Sequence, residues 1–441
     1  MNRKIRLYAA VTLVALFVAG CSGPCDSLKS ITAPALRSGS ADFATYVAMG
    51  TSISAGGQSG GLVETHQAHA FPALFARQVG MSPFTYARIT ADGIPPLLRL
   101  VSLSPLEISN EGRTMGAPRT EDLAQGTAFH NLGIYGSVLY DVGDSTRYYL
   151  GGDANPYSPY FGIVVRHRGT ILSEAASLNP TFISLEYGAN EVLSAALVGS
   201  GTPAFSVGQF TAILNGTLAG MAALMPDAKL AICNVPDVTS IPYVTTVKPY
   251  VVSPAGTHIP LIGPEGPLSE SDYLLLTAID SLNVGTGVPI PAGGNGRPLL
   301  GRQVLDADEA ASLQAAVDGY NTAIAAAASG HAAALVDLNT LLRQMATTGF
   351  VVGGVRYTAA FISGGLFSLD GVHPTDLAQG IIANAMIQSV NARFGASVPL
   401  VDLRDAASWS ASRARPAIEE SGGWPRIEGL DEVLRYLVRP M

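Results

Sequence analysis

Tyr46-Val47-Ala48-Met49-Gly50-Thr51-Ser52 is the stretch that decides the fold. Four residues with no charge among them read as a buried strand, and Gly50 permits a sharp turn directly after it. A serine placed there lies at the carboxyl end of a strand. Working outward, strand and helix patterns alternate. Phe71 is followed by a helix expected from Pro72 to Val79. From Ile163 onward the pattern predicts a helix over 164–178, a strand over 181–186, a helix over 190–197, a helix over 210–225 and a strand over 230–234. Asp306 is placed to cap an alanine-rich helix reaching Ala328, Ala334–Asp337 reads as the last sheet strand, and 376–394 as the closing helix. A short strand is expected to lead into Asn131, while 81–125 is Pro-rich and irregular. Alternation of this kind makes an α/β fold with a mainly parallel sheet and helices on both faces. Ligands of such sheets sit at the carboxyl ends of the strands, where Ser52, Gly188 and the segment after Asp337 fall.

The stretch 238–302 carries many Pro and Gly residues and is too long for a plain connection, so it is read as an insertion and a possible lid. Residues 397–441 read as a C-terminal appendage.

The N-terminus indicates the compartment. Asn2, Arg3, Lys4 and Arg6 precede an apolar run from Leu7 to Ala19, shorter than the roughly 20 residues of a membrane-spanning helix. A basic start, a short apolar run and small residues before a break describe a secretory signal. The break reads Val18-Ala19-Gly20-Cys21 and resembles the bacterial lipobox, which implies cleavage after residue 20 and a lipid anchor on Cys21. Residues 21–42 then read as a tether, and the protein as exported and held at the membrane by acyl chains, on an outer membrane if the source has one. No later segment stands out as long and apolar enough to span. A net charge of -8 and only 14% charged residues argue against a nucleic-acid partner. Cys25 and Cys233 remain, and the sequence leaves open whether they pair or Cys233 is a buried free thiol.

Among the seven histidines, only His373 has a carboxylate placed to orient it, in Asp370-Gly371-Val372-His373-Pro374. Residues three apart in a turn can face each other, so Asp370 can hold one imidazole tautomer and leave Nε2 as a base. Two serines compete as its nucleophile. Ser52 follows the first strand directly. Ser59 lies in Gly57-Gln58-Ser59-Gly60-Gly61, which matches the G-x-S-x-G elbow of α/β-hydrolases but follows a glycine-rich loop instead of a strand. That context favours Ser52. Asn131-Leu132-Gly133-Ile134-Tyr135-Gly136 and Gly188-Ala189-Asn190-Glu191 offer a glycine turn and a side-chain amide as oxyanion donors. His66 and His69 have the spacing of a metal pair but no clear third ligand, so a solvated loop is expected and no metal.

In order, these blocks resemble the SGNH (GDSL-type) hydrolases. Gly50-Thr51-Ser52-Ile53 stands where the family has G-D-S-L, Asn131–Gly136 where it has its glycine block, Gly188–Glu191 where it has G-x-N-D, and Asp370–Pro374 where it has D-x-x-H-P. Asn234-Val235-Pro236-Asp237 looks like a further family stretch. The resemblance implies a flavodoxin-like three-layer sandwich over 43–396. It also implies a serine esterase or lipase without cofactor, with Ser52, Asp370 and His373 as catalytic residues and the Ser52 and Gly136 N–H groups and the Asn190 amide as the oxyanion hole. Two positions depart from the pattern. Thr51 removes a carboxylate that would steady the turn, for which a threonine hydroxyl is a weaker substitute, and Glu191 replaces an aspartate. An inactive binding module of the same fold is the alternative that these departures allow. Between substrates, the mean hydropathy of +0.29 and the anchor lean towards lipid or acyl esters. Tyr243, Tyr250 and Tyr273 keep acetylated sugars open, because their rings can stack on a pyranose.

Overall fold

The computed structural model describes residues 36–144, 146, 159–409, 424–435 and 437. The signal, Cys21, Cys25 and most of the tether lie outside the described residues.

Five parallel strands form the central sheet: β1 (Tyr46–Gly50), β2 (Asn131–Gly133), β3 (Phe182–Glu186), β4 (Lys229–Cys233) and β5 (Ala334–Val336). Their spatial order is β2-β1-β3-β4-β5, the flavodoxin-like order, with every pairing parallel. The order reverses between β1 and β3, and that crevice is where such folds place their ligands. β1 and β3 are buried along their whole length, as strands covered on both faces must be.

Residues alternate between two cores because successive side chains point to opposite faces. Tyr46, Ala48 and Phe182 face one core with α2 (Phe71–Gln78) and α6 (Asp376–Phe394); Val47, Met49, Ile183 and Leu185 face the other. The second core is closed by α3 (Ala189–Ala196), α4 (Val207–Leu224) and α5 (Ala307–Gly330). In the first core, Phe43 meets Phe182 at 5.0 Å and Tyr46 meets Phe75 at 4.9 Å, both edge-on. Each such pair contributes about 0.5–1.5 kcal/mol beyond the area it buries. The long helices begin where expected: Asp306 caps α5 by accepting the Glu309 N–H, and Thr375 caps α6 by accepting from Ala378.

Several expectations need correction. The helix read over 164–178 is two short helices, Tyr160–Val164 and Ile171–Ser177. Arg166 and His167 break it with φ of 53° and 56°, held there in part because the Arg166 guanidinium reaches the carbonyls of Gln125 and Thr127. β2 starts at Asn131 and does not precede it. The irregular stretch contains an antiparallel hairpin, Arg99–Leu103 with Leu106–Ser109. α4, with 18 residues at hydropathy 1.2, is long and apolar enough to cross a membrane by composition alone. Its positions Phe210, Leu214, Leu218 and Met221 recur every three or four residues and pack inward, so in this fold it is an amphipathic layer helix.

Residues 238–302, read as an insertion and possible lid, pack against the body of the domain. Tyr243 is fully buried, with its hydroxyl donating to the Leu197 carbonyl at 3.1 Å, and Leu261, Leu274, Leu275, Leu276 and Ile279 belong to the larger core. The described parts of the C-terminal segment are integrated as well. Leu403–Trp409 packs on α6, Arg426–Ile427 adds a parallel strand to the Leu106–Ser109 hairpin arm, and Leu430–Leu434 is a short helix with Val433 buried.

Candidate active site

β1 delivers Ser52 at the start of a one-turn helix, α1 (Ser52–Ala55), above the crevice between β1 and β3. The turn closes through Gly57 N–H donating to the Ser52 carbonyl at 2.8 Å, and Gly56 takes a φ of 84°. From the other end of the chain, the loop before α6 brings in His373, with Nε2 3.0 Å from Ser52 Oγ. His373 Nδ1 lies 2.6 Å from Asp370 Oδ2. The three side chains therefore form one hydrogen-bonded line across 321 residues of sequence. All are buried, with Ser52 3% exposed and His373 1%, so their hydrogen bonds act at low dielectric, where they are strongest.

Asp370 is held by more than His373. Its Oδ1 accepts the N–H groups of Val372 and His373 at 2.8 and 2.9 Å and the Ser368 hydroxyl at 3.0 Å; its Oδ2 also accepts the Gly60 N–H at 2.6 Å. Burial pushes this carboxyl up, but the neighbouring His373 and these donors outweigh burial and hold it below the usual range. It is thus an anion fixed to orient an imidazole. Tyr135 stacks obliquely on the His373 ring at 5.0 Å and limits its rotation.

The residues expected as oxyanion donors stand on segments next to β1: the Ile134 N–H, two residues before Gly136, donates to the Gly50 carbonyl, and Asn190 follows β3, the strand paired with β1. Gly136 has a φ of 74°, and among the described residues neither its N–H nor that of Ser52 has an acceptor. Asn190, at the start of α3, gives one amide hydrogen to the Ser137 carbonyl at 2.7 Å, which fixes the side chain and leaves its second hydrogen to donate. Asn131, the first residue of that glycine block, is structural: it donates to the Ser54 carbonyl and accepts from Gly133.

The profile of the GDSL-like lipase/acylhydrolase family matches residues 46–386. The chain belongs to that family. It is an ester hydrolase of the esterase/lipase type. Among solved structures, a protein from Parabacteroides merdae described as a GDSL-like lipase is similar over 59% of this chain and 72% of its own, at 12% identity and a TM-score of 0.29. No curated protein matches the sequence.

In this GDSL-family chain Ser59, the rival nucleophile, makes no hydrogen bond to a histidine among the described residues; its hydroxyl faces the Leu369 N–H. Its φ is 50°, its N–H donates to Ser368 Oγ at 2.8 Å, and it stands behind Asp370 as a brace. His66 and His69 are not in a solvated loop. Both turn Nδ1 towards the buried Asp376, at 3.1 and 3.6 Å, and Gln58 Nε2 donates to the same carboxylate. Burial opposes the charge on Asp376, but those hydrogen bonds keep its carboxyl well below the usual range. The group ties the Ser52–Gln58 loop to the start of α6 and so to the His373 segment. The His69 ring also stacks on Trp409 at 4.2 Å. Sequence reasoning missed this tie, although Asp376 three residues after His373 was a visible signal. Tyr243 is not a surface platform: its N–H donates to the Gly371 carbonyl at 2.9 Å, inside the loop that carries Asp370 and His373. Cys233 is a buried free thiol at the end of β4.

Proposed function

We propose that the chain cleaves carboxylic esters by two-step acyl transfer at Ser52. The observation that carries this is the Ser52–His373–Asp370 line, with 3.0 and 2.6 Å between its members. Ser52 Oγ attacks the ester carbonyl while His373 Nε2 takes its proton, and Asp370 stabilises the imidazolium. The Ser52 and Gly136 N–H groups and the Asn190 amide bind the oxyanion; losing one such donor costs about 10²–10³ in rate. His373 returns the proton to the leaving alcohol. Water, activated by the same imidazole, then releases the acid. None of these steps requires a metal or an organic cofactor.

Acyl or lipid esters are favoured over acetylated sugars. The sugar reading rested on three tyrosines, of which Tyr243 is in the core and Tyr250 is stacked on His258 at 3.7 Å. The proposed place of action is the cell envelope, through a lipid on Cys21, supported by the Val18–Cys21 sequence. Incorporation of labelled palmitate into the full chain, lost in Cys21→Ala, tests that part.

The catalytic part is tested with p-nitrophenyl esters from acetate to long-chain acids and with acetylated xylan oligomers. Methanol added to the assay should divert a constant fraction of product to methyl ester whatever the leaving group, the signature of a shared acyl-enzyme. Asp370→Asn should lower kcat roughly 10⁴-fold through loss of the correct tautomer. Partitioning that varies with the leaving group contradicts the two-step route, and faster release of acetate from the sugars contradicts the substrate preference.

A further inference from the structure

The family pattern has an aspartate beside the nucleophile, and this chain has Thr51. The helix-capping role open to that position is not filled by Thr51, which makes no side-chain cap to α1. Its hydroxyl points elsewhere, to the carboxylate of Glu186 at 3.0 Å from both oxygens. Glu186 ends β3, where it pairs in register with Gly50 of β1. Its Oε2 also accepts the Thr51 N–H at 3.0 Å, the Ser54 N–H at 3.3 Å and the Ser54 hydroxyl at 2.9 Å. One carboxylate therefore binds the residue before Ser52 and the residue two after it, through main chain and side chain on both sides.

Gly50 makes the arrangement possible. A Cβ at that position would stand 2.1 Å from Ser54 Oγ and 2.9 Å from Glu186 Oε2, so only glycine leaves room for the carboxylate. Glu186 is 2% exposed. Burial at such a site raises the carboxyl's affinity for a proton, and the donors on Thr51 and Ser54 work against it. Two hydroxyls and two amides aimed at one buried group are more than packing requires, since each must give up water to be there.

We infer that Glu186 is a positioning residue for Ser52, supplying from the neighbouring strand the carboxylate that the family pattern keeps at position 51. It touches no substrate; it fixes the turn that aims Oγ at His373 and holds the Ser52 N–H outward. The inference rests on the proposed Ser52 mechanism.

The test transplants the carboxylate. Phosphonylation rates with a fluorophosphonate, kcat and KM on a p-nitrophenyl ester, and melting temperature are measured for the native chain, Glu186→Gln, Thr51→Asp and the double variant Thr51→Asp/Glu186→Gln. Glu186→Gln puts an amide donor among four donors and should slow phosphonylation and kcat about 10²-fold, with KM little changed, as a misaimed nucleophile does. Thr51→Asp sets two carboxylates side by side and should lose a similar factor. The double variant restores one carboxylate at the turn and should recover at least tenfold over either single change. Rates that merely follow melting temperature, a folded Glu186→Gln with native rates, or losses that add in the double variant overturn the inference. Should Glu186→Gln not fold, Ser54→Ala, which removes a single hydroxyl donor, serves instead; a rate unchanged there overturns it too. A native chain that is folded yet unlabelled at Ser52 defeats the serine mechanism itself and this inference with it. A labelled native chain with indifferent variants defeats the inference alone.

Discussion

Asp370 and Glu191 show how differently two fully buried carboxyls are treated within one fold. Asp370 has four protein donors and a histidine, and it stays ionised. Glu191 has the Leu139 N–H on one oxygen at 2.7 Å and, among the described residues, no hydrogen-bond partner on the other. Burial, with some repulsion from Asp141 and Glu186, pushes its carboxyl up to about 7 from 4.5. The sign for stability follows directly. Between those values the folded chain holds a proton that the unfolded chain has released, so stability falls as pH rises from about 4.5 through 7. Glu191→Gln keeps an acceptor for Leu139 and cannot ionise. It is expected to flatten that decline and to be more stable at pH 8, by at most about 3 kcal/mol. Urea unfolding of both proteins at pH 5 and pH 8 checks this; equal slopes with pH would contradict it. The sequence made the departure at 191 visible as a substitution within a motif. It could not show that the longer side chain reaches the Leu139 amide, because that contact spans 52 residues and depends on the sheet being assembled.

At the scale of elements, the triad is held by pieces that lie far from it in sequence. Val433, on the helix Leu430–Leu434, packs on Gly60, where any Cβ would come within 2.4 Å of the valine. Gly60 in turn donates its N–H to Asp370. Val433→Asp buries a charge against that contact and should lower stability by about 3 kcal/mol or more and reduce kcat with it. Val433→Ala, a milder change, should lower stability by about 1–3 kcal/mol and leave the labelled serine unchanged. Thermal melts paired with esterase assays would show it; a folded Val433→Asp with native kcat and melting temperature would contradict the coupling. Strong local signals made the regular elements legible. The buried run at 46–50, the capped start at Asp306 and the closing helix at 376–394 were all readable from pattern. The packing of 238–302 and of the C-terminal segment was not, because their irregular backbone carries no period. What anchors them is single long-range contacts such as Tyr243 N–H on Gly371 or Ile427 beside Ile108.

For the whole molecule, the sheet separates two tasks. The carboxyl edge carries Ser52, Glu186 and Asn190, while Phe182 at the opposite end of β3 sits among Phe43, Tyr46, Phe75 and Phe394. Phe182→Ala should therefore cost about 3–5 kcal/mol of stability while kcat at a permissive temperature stays near native; loss of kcat in a protein still folded would argue against that separation. The order of the blocks along the chain was enough to read the architecture, since the loops that follow the parallel strands of a doubly wound sheet gather at its carboxyl edge. The ties that Glu186 and Ser368 make to those blocks became visible only when the strands and loops were side by side. The most direct test of the account is to treat the chain lacking residues 1–21 with a fluorophosphonate and map the modified peptide. A single phosphonyl group on Ser52, abolished by His373→Ala, is the expected result. Labelling at Ser59, or no labelling of a folded protein, would contradict it.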